Sequence, residues 1–262
     1  MTSGSVDDAP LLRLRGVVKN FGAVQALRGV DLDIPAGQVT ALVGDNGAGK
    51  STLIKTISGI WGLDGGEMLW RGQPVHFSSP RDATQHGIAT VYQDLALCDN
   101  LDIVQNMFLG KEVLARGLLD EAQMERTTAQ TLKDLSVTTV KSIRQLVGSL
   151  SGGQRQAVAV ARAVMDEAEL VILDEPTAAL GVSQTAMVLG LVKQLSGRGI
   201  AVLLISHNLN DVFSIADRIA VLHLGQLARS GPLSDFDTQS VVELITTGRT
   251  TAGTAATKGG AA

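Results

Sequence analysis

Apolar residues in this chain fall into two rhythms, and the change from one to the other outlines its architecture. Three runs, Val39 to Val43, Leu170 to Leu173 and Ala201 to Ile205, are apolar without sustained alternation. Runs of that length predict strands covered on both faces, the environment of a parallel sheet between helices. Each run gives way at once to polar residues: Gly44-Asp45-Asn46, Asp174-Glu175 and Ser206-His207. In open α/β sheets ligands collect beyond the carboxyl ends of strands, so three clusters far apart in sequence are expected to meet at one site.

Elsewhere the rhythm changes. Leu11 to Val18 and Val30 to Ile34 alternate with period two between glycine and proline breaks, which predicts a small, partly antiparallel sheet at the N-terminal end. Between Gln93 and Ser149 the pattern turns helical and more polar, and within Glu121 to Leu135 the residues Met124, Thr128, Thr131, Leu132 and Leu135 share a face. These features predict an α-helical subdomain, about residues 93–160, inserted in the core. Asn208 is placed to cap a helix with Asp211 at its third position and Val212, Ile215 and Ala216 turned inward.

Length and composition narrow the picture. With 262 residues and 45% hydrophobic content, the chain has ample material for one α/β unit, expected over residues 1–248. Residues 249–262 are rich in Thr, Ala and Gly without periodicity and are expected to form a disordered tail. The polar, acidic start MTSGSVDDAP does not read as a secretion signal and is expected to be loose. A formal charge of −4 without a Lys/Arg cluster argues against a nucleic-acid partner. The longest apolar runs, such as Ile200 to Ile205 and Ile219 to Leu224, fall well short of the roughly 20 residues of a membrane span. The single Cys98 makes no internal disulfide, in keeping with a reducing compartment, and the cytoplasm is the expected location.

Candidate chemistry starts at Gly44 to Thr52, which reads GDNGAGKST between the first buried strand and a helical stretch. That placement predicts a phosphate-binding loop. Gly44, Gly47 and Gly49 let the backbone curl around phosphate oxygens, with Asn46, Ala48 and Thr52 completing the loop and helix start. Lys50 is suited to neutralise β/γ-phosphate charge, and the Ser51 hydroxyl to ligate Mg²⁺. Asp174-Glu175 at a strand end divides into a metal-holding acid, Asp174, and a general base for an attacking water, Glu175. His207 reads either as a donor to the γ-phosphate or as a surface or cap residue. A second cradle is Leu150-Ser151-Gly152-Gly153-Gln154 ahead of a long Ala/Val helix, where two glycines and a helix start present N–H groups to an anion. Ser151 also reads as a plain helix cap.

LSGGQ lying between a phosphate loop and Ile172-Leu173-Asp174-Glu175-Pro176-Thr177 resembles the ATP-binding cassette (ABC) family, and the similarity runs from about Leu12 to Gly248. Further motifs follow in that family's order: a Q-loop glutamine at Gln93, a D-loop around Ala178 to Gly181 and a switch histidine at His207. The resemblance implies a P-loop NTPase (RecA-like) core with a small N-terminal antiparallel β subdomain and an inserted α-helical subdomain. It implies ATP and Mg²⁺ as cofactors, and two cassettes packed head to tail. Ser151, Gly152, Gly153 and Gln154 would then bind nucleotide held by the other copy. Lys50, Ser51, Gln93, Asp174, Glu175 and His207 act in cis, with Lys50, Gln93, Glu175 and His207 in the catalytic set and Ser51, Gln93 and Asp174 at the metal. Phe21 matches the family's adenine-stacking aromatic and reads equally as a core or hairpin phenylalanine; Gln93 also reads as a loop-surface amide.

One departure stands out. The family's D-loop usually ends in Asp, whereas this chain has Gly181. Finer similarity, in Gly87 to Asp94, Asn106 to Gly110 and Ile205 to Leu209, points to the carbohydrate-uptake branch of ribose-, xylose- and fructose-type importers. The implied partners are a second cassette, as a homodimer or with a different cassette, membrane permease subunits contacted by the helical insertion and Gln93 loop, and an extracytoplasmic sugar-binding protein. The implied location is peripheral on the inner face of the cell membrane. A regulatory or non-transport ABC ATPase is the alternative, and the missing D-loop acid gives it some footing.

Overall fold

The structure, a computed structural model, describes residues 9–249. The expected tail beyond Arg249 and most of the N-terminal segment lie outside the described residues.

Chain order begins with strands β1 (Leu12–Phe21), β2 (Val24–Ile34) and β3 (Val39–Val43), then helix α1 (Lys50–Ile57). Next come β4 (Gly65–Trp70), β5 (Gln73–Val75), α2 (Pro80–Gln85), β6 (Ile88–Val91) and α3 (Ile103–Phe108). A short hairpin of β7 (Leu114–Ala115) and β8 (Leu118–Leu119) precedes α4 (Glu121–Asp134) and α5 (Gly152–Val164). The remainder is β9 (Leu170–Asp174), α6 (Val182–Gly197), β10 (Ala201–Ile205), α7 (Leu209–Ile215), β11 (Arg218–His223), β12 (Gln226–Pro232) and α8 (Thr238–Thr247).

The central sheet has the order β12-β11-β3-β10-β9-β6, all parallel except the β11–β12 hairpin. Its middle strands are apolar because both faces are covered. Leu42, Ile172, Leu203, Ile205 and Leu222 pack into the cluster shared with α1 and the N-terminal sheet. Val43, Val171, Leu173, Val202, Leu204 and Val221 pack on the opposite side with residues of α5, α6 and α7. Each leucine or isoleucine buried to this degree contributes about 1.5–3 kcal/mol, which holds the strand order against the loops it must position. The N-terminal strands form the expected antiparallel sheet, ordered β2-β1-β4-β5.

Helical residues dominate between β6 and β9. Along α4, Met124, Thr128 and Leu132 are buried, with Leu135 beneath its C-terminal end, whereas Thr131, expected on the same face, is half-buried and donates to the Thr127 carbonyl. Asn106 on α3 is fully buried and is bound four times to backbone: its side-chain amide donates to the carbonyls of Cys98, Leu101 and Asp102 and accepts from the Cys98 N–H. Arg144 ties the same region together by ion pairs to Asp102, Glu121 and Glu125. At α7, Asn208 accepts from the Asn210 N–H, so the cap forms as its sequence signals, and Val212, Ile215 and Ala216 are buried.

Candidate functional site

Strand register explains why three distant clusters meet. Leu42 and Asp174 both lie beside Ile205 on β10, so β3, β9 and β10 end on nearly one row and their polar continuations emerge together. The Glu175 N–H donates to the Ile205 carbonyl at 3.0 Å and locks the acidic turn to that row.

The phosphate-binding loop follows β3. A Cβ at Gly44 would lie 2.4 Å from the Leu222 carbonyl oxygen, and one at Gly49, whose φ is +107°, would lie 2.8 Å from that of Ala26. Neither position tolerates a side chain without moving backbone. Gly49 caps α1 without a side-chain acceptor, which leaves the first-turn N–H groups facing the cleft. Lys50 Nζ donates to the Gly44 and Asp45 carbonyls at 2.7 and 3.0 Å, so the loop carries its cation folded back over itself. Burial lowers the Lys50 pKa, opposed by the charges of Glu175, Asp45 and Asp174. Asp174 is pushed above the ordinary carboxylate range, by burial first and by the Glu175 charge second. An amine and a carboxyl both held short of full solvation are poised for an ionic ligand.

A cavity of about 700 Å³ joins these groups, within the usual size range of ligand sites. Asn46, Gly47, Gly49, Lys50, Ser51, Thr52, Gln93, Asp174 and Glu175 form its polar part. Glu175 adopts φ +51°, an uncommon conformation for a non-glycine residue, and such strain persists where surrounding structure enforces it. His207 Nδ1 lies 2.5 Å from Glu175 Oε2. An ionised carboxylate only accepts, so His207 donates to it and the pair orients the acid. His207 is thus engaged with Glu175, not left free as a lone turn residue.

Other expected residues sit elsewhere. Ser151 closes a complete capping box, its hydroxyl accepting from the Gln154 N–H while the Gln154 side chain accepts from the Ser151 N–H. Both readings of Ser151 therefore begin from one geometry: the cap is made, and Ser151 and Gly152 remain exposed to solvent. A Cβ on Gly152 would lie 2.9 Å from Leu180 and one on Gly153 2.8 Å from Met187, so the turn is packed against the D-loop and α6. None of Ser151, Gly152, Gly153 or Gln154 lines the 700 Å³ cavity. Phe21 does not line it either; its ring packs edge-on against Trp61 at 4.6 Å between centroids, and Lys19 lies over it. Gly44 and Ala48 are buried and do not line the cavity. Val24, Gln25, Ala26, Arg28, Leu224 and Gly225, which the sequence did not single out, complete the cavity wall.

A family model described as ABC transporter matches residues 27–178, more than half of the chain and inclusive of every cavity motif from Arg28 to Glu175. The chain belongs to the ABC transporter family.

Among the relatives of this cassette is the fructose import ATP-binding protein FrcA of Rhizobium meliloti, 48% identical with 83% of this chain and 86% of that protein covered. The xylose/arabinose import ATP-binding protein XylG of Sulfolobus acidocaldarius is 45% identical over 90% of this chain and 94% of its own length. A third, the ribose import ATP-binding protein RbsA 2 of Rubrobacter xylanophilus, is 41% identical, and the match spans only 46% of it. Among solved structures, the cassette is similar to a nucleotide-free ATP-binding cassette from an ABC transporter, with TM-score 0.77, 26% identity and coverage of 89% and 98% of the two chains. It is also similar to the dimeric structure of the post-hydrolysis state of the cassette MJ0796 bound to ADP and Pi, with TM-score 0.70, 26% identity and coverage of 85% and 98%. These likenesses bear out the α/β P-loop fold expected from the sequence.

Proposed function

We propose that the chain is the ATP-hydrolysing subunit of an importer for a monosaccharide, working as a dimer of cassettes beneath membrane permease subunits. The observation that carries this reading is the convergence of Lys50, Ser51, Gln93, Asp174 and Glu175 on one cavity, while Ser151 to Gln154 are fully formed yet lie outside it. One chain holds the triphosphate and a second chain supplies its lid. Lys50 and the first-turn amides of α1 bind the phosphates. Glu175 takes the proton of an attacking water, and His207 keeps that carboxylate in place through Nδ1.

The donor set fits Mg²⁺. Among the described residues no cluster of three or more His, Cys, Asp or Glu builds an all-protein metal cage. Asp174, the Ser51 hydroxyl and the Gln93 amide oxygen instead offer hard oxygen donors in the nucleotide cavity, the kind of sparse set with which Mg²⁺ is shared with phosphates. When bound, the cation neutralises charge developing on the transferred phosphoryl group.

The import direction and sugar class follow the names of the fructose, xylose and ribose relatives. Among the described residues no helix is long and apolar enough to cross a membrane, so attachment to the inner face of the membrane is proposed through permease subunits. An extracytoplasmic sugar-binding protein would deliver the cargo. Phe21 keeps its proposed place as the adenine-stacking aromatic, at the margin of the cavity.

Hydrolysis by the purified chain tests the reading. MgATP turnover that rises steeply with protein concentration, as dimers form, is the expected result. Tight nucleotide binding without turnover, alone or with permease, would instead favour the regulatory ABC alternative, for which Gly181 in place of the D-loop acid is the supporting observation.

A further inference from the structure

The cavity has two chemically different ends. Its polar end is the phosphate loop with Gln93, Asp174 and Glu175; its other wall carries Val24, Ala26 and Leu224 beside Gln25, Arg28 and Gly225. Val24 and Leu224 are each 65% exposed, unusual for branched aliphatic residues beside a deep cleft. Leu224 is the odder of the two.

Leu224 and Gly225 form the two-residue turn between His223 and Gln226, which pair across the β11–β12 hairpin. Their φ values are +46° and +80°, so both central residues are left-handed, the geometry that favours Asn-Gly or Asp-Gly. Leucine is poorly suited to that conformation. The turn holds it there by bonds on both sides. The Gly225 N–H donates to the Ala48 carbonyl in the phosphate loop at 2.9 Å, and the Gly225 carbonyl accepts from the Arg28 N–H on β2 at 2.8 Å. His223 Nδ1 donates to the Ile245 carbonyl of α8 at 2.9 Å. A Cβ on Gly225 would strike the Ala26 carbonyl at 2.7 Å, so the turn fits against β2 with no slack. The leucine is thus held in a strained conformation beside the phosphate loop with most of its side chain exposed. Strain of this kind gathers at ligand sites.

Resting on the reading that ATP occupies this cavity, we propose that Leu224 is a nucleoside-binding residue: its side chain forms, with Val24, the apolar wall against which the ribose and base of the nucleotide lie. With the triphosphate at Lys50 and the phosphate loop, the wall that carries Val24, Ala26 and Leu224 is the part of the cavity left for the nucleoside. Phe21, which pairs with Val24 across the β1–β2 hairpin, adjoins that wall from outside the lining and leaves a face of the base for it. Burial of the leucine by the nucleoside recovers part of the hydrophobic free energy that its exposure forgoes.

The test separates nucleoside from phosphate. Leu224→Asn suits the turn better than leucine, so its melting temperature is expected to equal or exceed the parent's and misfolding does not cloud the result. By calorimetry it should bind MgATP about three- to tenfold more weakly than the parent, the scale of one lost aliphatic contact, while its affinity for magnesium tripolyphosphate matches the parent's. Leu224→Met, which keeps an apolar wall, should retain ATP affinity. Equal ATP affinity in the parent and Leu224→Asn overturns the inference and leaves the ATPase reading intact. Parallel weakening of ATP and tripolyphosphate also overturns it, because the turn would then act only through the phosphate loop. Failure of the parent to bind MgATP at all sinks the ATPase reading itself.

Discussion

The two turns proposed as anion cradles are built in opposite ways. Around Gly44 to Thr52 the groups are withheld from water: Lys50 is folded onto its own loop carbonyls, Asp174 is driven above its ordinary range, Glu175 is strained, and a 700 Å³ cavity collects them. Around Ser151 to Gln154 the side chains are already satisfied: a capping box closes the helix start, Gln154 donates to the Thr139 carbonyl, and none of these residues lines that cavity. The first cradle carries stress that a ligand relieves, whereas the second is a relaxed surface that gains a ligand only when something is brought to it. On the proposed reading the chemical centre is divided between two chains, and the contrast can be attacked from either side.

The heaviest blow falls on Glu175. Glu175→Gln removes the base but keeps size and the contact position of His207, so turnover should drop by about 10²- to 10⁴-fold while MgATP still binds. Phosphate release and calorimetry on one preparation check both halves, and turnover equal to the parent's would remove Glu175 from the base role. Next is Lys50→Ala, which deletes a charge-assisted contact worth about 1.5–3 kcal/mol, a loss of about 10- to 150-fold in nucleotide affinity. Titration with a fluorescent ATP analogue measures it; unchanged affinity would mean that the strained cradle does not hold the phosphates.

The relaxed cradle calls for a subtler change. Aspartate caps helices as well as serine does, so Ser151→Asp should leave the melting temperature within a degree or two of the parent. Its carboxylate would face the phosphates of the opposing copy, and like charges in a closed interface repel. In a Glu175→Gln background, light scattering should find nucleotide-dependent dimers with Ser151 and mostly monomers with Asp there. Equal dimer formation would show that Ser151 is only a cap.

How much of this contrast could be read from residues alone depends on what kind of signal carried it. β3, β9 and β10 were legible because strands buried on both faces leave unbroken apolar runs, and their polar continuations named most of the site. Conformation was not legible. Nothing in Asp174-Glu175-Pro176 announces that Glu175 takes a positive φ, and the partners of its backbone N–H and carboxylate, Ile205 and His207, come from another segment. The run Ile219 to Leu224 looks like one uniform strand, yet β11 stops at His223 and the last leucine turns over into a hairpin. A leucine at a turn position that suits asparagine is hidden in sequence by the apolar residues before it. The same limit applies to Ser151: residue type gives the cap and the phosphate contact equally, and only a second copy separates them.

The gentlest test reads the stress of the first cradle without any nucleotide. Burial and the neighbouring Glu175 charge raise the Asp174 carboxyl, so the folded chain binds this proton more tightly than the unfolded chain does. Stability from that group therefore falls as pH rises from about 4, the ordinary carboxylate value, through the higher folded one, and above that window the charged form is a standing penalty. Asp174→Asn removes the charge and keeps the shape. Nucleotide-free Asp174→Asn should melt on the order of a degree or two above the parent at neutral pH, with the gap closing as pH falls toward about 4. Adding MgATP should reverse the ranking, because only the parent has a carboxylate to offer the cation. Differential scanning calorimetry across pH checks both signs. A parent more stable than Asp174→Asn at neutral pH without nucleotide would mean that the acid is already at rest, and the contrast between a stressed and a relaxed cradle would lose its strongest electrostatic support.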